Sequence, residues 1–116
     1  MGTTSKLKWV VAELMIGFTI LSIQPRRVFT PNGDGVNDIF KVCFDNPADS
    51  VISLSKVYDL TGAEVGTMKQ GSDSSCTSFL YWDGLDNNGA KAHTGVYLYR
   101  IDVEQKSITG TVVLAR

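Results

Sequence analysis

The chain has 116 residues, enough for one core and too few for two ordinary domains. Lys+Arg number 11 against Asp+Glu 12, a net charge of −1, and no basic cluster beyond Arg26-Arg27 offers a track for nucleic acid. A hydrophobic fraction of 43% excludes a disordered chain, and abundant Ser, Thr, Gly and β-branched residues point to an all-β domain.

Lys6 and Lys8 precede an apolar run, Trp9-Val10-Val11-Ala12, that Glu13 interrupts. No small-residue cleavage site follows, and the run is shorter than the roughly 20 apolar residues of a membrane span. Two short strands, residues 8–14 and 18–23 with a turn near Gly17, account for it better. Residues 1–20 are expected to be the tail of a preceding module, or an added start, with room for one extra strand. Residues 21–116 are expected to form the domain.

Residues 26–30 read as a strand between Pro25 and Pro31, entering a first corner, Pro31-Asn32-Gly33-Asp34-Gly35-Val36-Asn37-Asp38. Gly33 and Gly35 reach backbone angles closed to other residues, and Asn/Asp side chains fold back onto nearby amides. Residues 38–44 follow as a strand with two largely apolar faces, then residues 45–50 as a turn. In residues 51–60, Ile52 and Leu54 share a phase that Val57 breaks, so a bulge is expected at Ser55-Lys56. Thr61-Gly62 turns the chain, residues 63–68 return, and residues 69–75 read as a polar loop. A strand over residues 77–82 enters a second corner, Trp82-Asp83-Gly84-Leu85-Asp86-Asn87-Asn88-Gly89. Residues 95–103 alternate Tyr97, Tyr99, Ile101 against Val96, Leu98, Arg100, and residues 107–115 run back along them. Seven to nine strands with turn signals every eight to twelve residues make a two-sheet sandwich. The expected core is Phe40, Val42, Ile52, Leu54, Val57, Leu80, Val96, Leu98, Val112 and Leu114.

The order of motifs adds to this. Phe29-Thr30-Pro31-Asn32-Gly33-Asp34-Gly35-Val36-Asn37-Asp38, then Val57-Tyr58-Asp59-Leu60-Thr61-Gly62, Trp82-Asp83-Gly84 and Gly95-Val96-Tyr97-Leu98-Tyr99-Arg100 resemble the gliding-motility-associated C-terminal domain. The later motifs are also similar to the immunoglobulin-like domain of flagellar hook-capping proteins. The resemblance implies an immunoglobulin-like β-sandwich of antiparallel strands at the end of a large exported bacterial protein. In the Bacteroidota such domains serve as sorting signals for the type IX secretion system. It implies a secreted or cell-surface location, and as partners a secretion or attachment machinery and neighbouring domains. Neither nucleic acid nor a membrane span enters.

Enzymatic constellations fail on inspection. The single histidine, His93, sits in a polar loop, and with two separated cysteines it makes no zinc spacing. Two roles fit the first corner. Asn32, Asp34, Asn37 and Asp38 are hard oxygen donors suited to calcium, although the EF-hand spacing is absent. Alternatively they form Asx turns that lock the corner, and no cofactor is required. Pro31, Gly33, Gly35, Trp82, Asp83 and Gly84 are the structural residues of the two corners. Trp82 is expected to cap the core with its indole N–H partnered. In an exported chain Cys43 and Cys76 can bridge, closing a loop of roughly 30 residues worth about 3 to 4 kcal/mol. Otherwise they are two unpaired thiols. The expected function is a non-catalytic C-terminal sorting and attachment module that presents residues 110–116 as an exposed strand. A structural spacer of the hook-capping kind, or an adhesin or carbohydrate-binding module, are the alternatives.

Overall fold

A computed structural model describes residues 18–26, 28–104 and 106–116. Nine strands follow in order: β1 (Thr19–Gln24), β2 (Val28–Phe29), β3 (Phe40–Asp45), β4 (Ile52–Tyr58), β5 (Glu64–Thr67), β6 (Lys69–Gly71), β7 (Phe79–Trp82), β8 (Gly95–Val103) and β9 (Lys106–Leu114). They form two sheets, β1-β3-β7-β6 and β2-β9-β8-β4-β5, facing each other as a β-sandwich. The architecture is the expected all-β, immunoglobulin-like one. All pairings are antiparallel except β2 with β9, which is parallel at Val28↔Val113 and Phe29↔Leu114.

Among the described strands, two of the chain's five changes of sheet are made at short junctions. One is the cis Gln24–Pro25 bond region between β1 and β2. The other is Met68, a single residue between β5 and β6 that is buried and bonded through its backbone to Ser55. A polar loop was expected at residues 69–75. Its first three residues instead extend the four-stranded sheet by pairing with β7. Periodicity cannot show this, because Lys69-Gln70-Gly71 has no apolar face to bury. The strand expected at residues 8–14 lies outside the described residues. β1 begins at Thr19, close to the strand expected at residues 18–23, and the buried ring of Phe18 stacks on Phe44 at 4.6 Å.

Aromatic rings from both sheets fill the sandwich. Tyr97 meets Trp82 edge-on at 5.0 Å, Trp82 meets Phe29 at 5.5 Å, and Phe40 meets Tyr99 at 5.2 Å. Such offset and tilted pairs add to the gain from burial. Phe40, Val42, Val57, Leu80, Val112 and Leu114 are buried as expected, and Ile52 packs against them half-buried.

Three expected core residues lie elsewhere. Val96 and Leu98 are exposed, and Tyr97, Tyr99 and Ile101 face inward. Both faces of β8 are apolar, so alternation alone does not choose between them. Tyr97 can go inside because its hydroxyl finds a partner, donating to the carbonyl of His93 at 2.5 Å. Leu54 is displaced by the bulge, which lies between Ile52 and Leu54 rather than at Ser55-Lys56. Ser53 is the extra residue, so Ser55 and Val57 pair with inward Ile101 and Tyr99, and Leu54 joins Lys56 on the outer face.

Candidate functional site: the paired corners and the edge of the last strand

The first corner folds around one carboxylate. Asp38 accepts the amides of Asn32 and Gly33 on Oδ1, at 3.1 and 3.0 Å, and that of Gly35 on Oδ2 at 2.7 Å. Asn32 and Asp34 make Asx turns, accepting the amides of Asp34 and Val36 at 3.1 and 2.8 Å. Gly33, Gly35 and Asn37 take positive φ, and the Thr30 amide closes the loop onto the Asn37 carbonyl at 2.8 Å. Of the four expected calcium donors, the side-chain oxygens of Asn32, Asp34 and Asp38 therefore hold backbone amides. Among the described residues, no group of three or more His, Cys, Asp or Glu side chains is placed to hold a metal ion.

The second corner repeats the device. Asp86 Oδ1 accepts the amides of Asn88 and Ala90, both at 2.9 Å, and Asp83 accepts that of Leu85 at 3.0 Å. Trp82 is fully buried and donates its indole N–H to the Leu85 carbonyl at 2.8 Å. Asn87 ties the corner to β5: its amide reaches the Val65 carbonyl at 2.9 Å and its side chain donates to Glu64 at 2.7 Å. The exposed His93 follows in the loop before β8. Sequence spacing does not reveal that the two corners touch. Gly84 has φ +83°, and a Cβ there would lie 3.2 Å from Pro31, 3.3 Å from Leu114 and 3.0 Å from Arg116. Glycine is thus required at this junction by both angle and space.

The end of β9 closes the same junction. Arg116 donates Nε–H to the Ala92 carbonyl and Nη2–H to the Gly84 carbonyl, both at 2.7 Å. Its own amide reaches Thr94 Oγ1 at 3.0 Å, and the Ala115 amide donates to the Phe29 carbonyl at 3.0 Å. Residues 110–116 are therefore not a freely exposed strand. Val112 and Leu114 are core residues and Arg116 is clamped. What stays open among the described residues is the outer edge further back. Among the described residues, β2 covers β9 only at Val113 and Leu114. Because Ala115 points its amide at β2, strand alternation directs the amides of Ser107, Thr109 and Thr111 outward along the uncovered edge. Nothing in the residue pattern distinguishes this edge from the covered part.

Beside that edge, the outer face of the five-stranded sheet carries Val28, Val96 and Leu98, each more than a third exposed. A shallow groove crosses the face, lined by Tyr58, Leu98, Arg100, Thr109 and Thr111. On the other sheet, Cys43 and Cys76 are joined by a disulfide that closes 33 residues of sequence separation.

Sequence comparison decides the family: the CHU_C type IX secretion signal domain matches over residues 23–114. The chain belongs to that family. A type IX secretion signal domain links this chain to a secretion machinery and marks an exported protein, and a β domain of this kind is in general non-catalytic. Among curated proteins, none matches. Among solved structures, the chain is similar to CopC from Methylosinus trichosporium OB3b, with 14% identity, coverage of 84% of this chain and 92% of that one, and a TM-score of 0.45. No helix among the described residues is long and apolar enough to cross a membrane.

Proposed function

We propose that this domain is a non-catalytic sorting signal of a secreted or surface-attached protein. Its secretion machinery would recognise it as a folded unit, through the outer edge of β9 and the apolar strip beside it. The family match over residues 23–114 carries this proposal. A row of outward backbone groups at Ser107, Thr109 and Thr111 gives the physical route, because an added strand can pair with an uncovered edge. The paired corners supply the rigidity: they hold β2, β7 and the end of β9 at one junction. A calcium ion at Asn32, Asp34, Asn37 and Asp38 would have to replace amides already bonded there. Calcium binding remains a secondary proposal, supported by donor type alone.

Deleting residues 110–116 would not test recognition, since it removes Val112 and Leu114 from the core. A substitution at the edge does. Thr109→Pro deletes an outward amide that none of the described strands uses, and proline is tolerated at such positions. A reporter carrying the variant, shown folded by circular dichroism, should be exported less than one carrying the parent chain. Equal export would remove the edge from the mechanism. A spacer or adhesin role draws no specific support here. Trp82 and Tyr97, the aromatic residues a sugar platform would use, are buried.

A further inference from the structure

The Cys43–Cys76 disulfide stands apart from the main core. With Phe79, and with Ile39 and Tyr81 packed against them, the two cysteines form a second small cluster. Inward residues of β3 and β7 are Phe40, Val42, Leu80 and Trp82, so Cys43, Phe79 and Tyr81 lie on the outer face of the four-stranded sheet. The loop of residues 72–78 brings Cys76 over that face, and Phe79, whose ring also lies against Gly71 and Tyr81, is only 6% exposed.

The loop itself is polar and is organised locally. Asp73 accepts the amides of Ser75 and Cys76 and the Ser75 hydroxyl, at 2.9, 2.8 and 2.8 Å. Its ties to the sheet are few. Besides the disulfide there is the Lys41–Asp73 ion pair at 2.8 Å, with the Lys41 ammonium 4.6 Å from the Phe79 ring centre, and the Phe44–Ser78 backbone bond at 3.0 Å. An ion pair with an exposed partner contributes little by itself. The covalent bond is therefore what keeps the loop over Phe79.

We propose that this disulfide is a redox latch on the loop, closing the outer face of the four-stranded sheet when oxidised and opening it when reduced. The co-reactant is a dithiol. Its thiolate attacks one sulfur to form a mixed disulfide, and its second thiol then displaces the protein. Cys43 and Cys76 end as two thiols, having gained two electrons and two protons, and the dithiol ends as a cyclic disulfide. The main sandwich does not depend on the bond, because Cys43 and Phe79 stay paired through the β3–β7 ladder. An exported chain meets both states: reduced where it is made, oxidised once outside the cytoplasm. The open form displays Ile39, Phe79 and Tyr81, which marks a domain whose oxidation is incomplete. This inference is independent of which surface the secretion machinery reads.

The test is amide hydrogen exchange on the whole chain, oxidised and after reduction with dithiothreitol. Exchange in residues 73–79 should quicken about tenfold or more on reduction, and an apolar fluorophore should begin to bind. Any rise at the Trp82 indole N–H and the amides of β8 should be smaller than in the loop. A Cys43→Ser, Cys76→Ser variant should match the reduced form without reductant. Unchanged exchange in the loop would overturn the latch. A uniform rise that includes Trp82 would also overturn it, showing a brace of the whole fold instead.

Discussion

The guanidinium of Arg116 donates to the carbonyl of Gly84 at 2.7 Å, fastening the end of the last strand to the Trp-Asp-Gly corner. The same side chain holds the Ala92 carbonyl, so one residue serves both ends of the corner loop. Arg116→Ala should cost about 1 to 3 kcal/mol, the usual worth of hydrogen bonds to a charged group. Urea unfolding checks this. Arg116→Lys should recover only part of the loss, since one ammonium cannot reproduce the planar fork.

Asp38 plays a similar part in the first corner, where one carboxylate gathers three amides. Asp38→Ala should destabilise the domain by about 1 to 3 kcal/mol, because those amides lose a common acceptor in a loop with three positive φ angles. Thermal unfolding with and without calcium separates the two roles. If Asx bonding alone holds the corner, millimolar calcium leaves the melting temperature of the parent chain unchanged. A rise that Asp38→Ala abolishes would establish an ion site.

Gly110 faces Tyr99 across β8 and β9, and the tyrosine ring occupies the space a Cβ would need. Gly110→Ala should therefore cost about 1 to 3 kcal/mol through overpacking of the buried ring. The cost should shrink in a Tyr99→Leu background. A double-mutant cycle measures the coupling, and additive effects would show that the contact is not what constrains Gly110.

Asp73 gives the loop over the disulfide a pH dependence. Its bond from Lys41, and then that from Ser75, hold its carboxyl far below the usual carboxylate range. A folded pKa depressed in this way contributes stability that is present above the unfolded value and lost as pH falls through the folded one. The local turn at Asp73 should therefore hold at mildly acidic pH and loosen only below the ordinary aspartate range, while the disulfide still keeps the loop over Phe79. An NMR titration following the Ser75 and Cys76 amides should show this. Lys41→Met should move the transition upward in pH.

The succession of strands along the chain and the two-sheet sandwich are legible in the sequence because turns and apolar runs alternate at short intervals. The two Asn/Asp/Gly corners are legible as locked loops, since their bonding is local and depends on residue type. Three features are not. β8 is apolar on both faces, so choosing Tyr97 and Tyr99 over Val96 and Leu98 for the interior depends on contacts that only the fold supplies, such as the His93 carbonyl that accepts the Tyr97 hydroxyl. The Ser53 bulge is fixed by pairing with Asp102 and Val103, about fifty residues away. β6 has no hydrophobic signature and exists because β7 offers it an edge. In the site, the Arg116 clamp and the contact of Gly84 with Pro31 are invisible for the same reason: both join segments distant in sequence.

The most direct measurement is export of a reporter fused between an N-terminal signal peptide and this chain, in a type IX secretion host and in the same host lacking its translocon. The account predicts folded reporter outside the competent cells and folded reporter held in the periplasm of the deficient ones. Equal distribution in both hosts would contradict it.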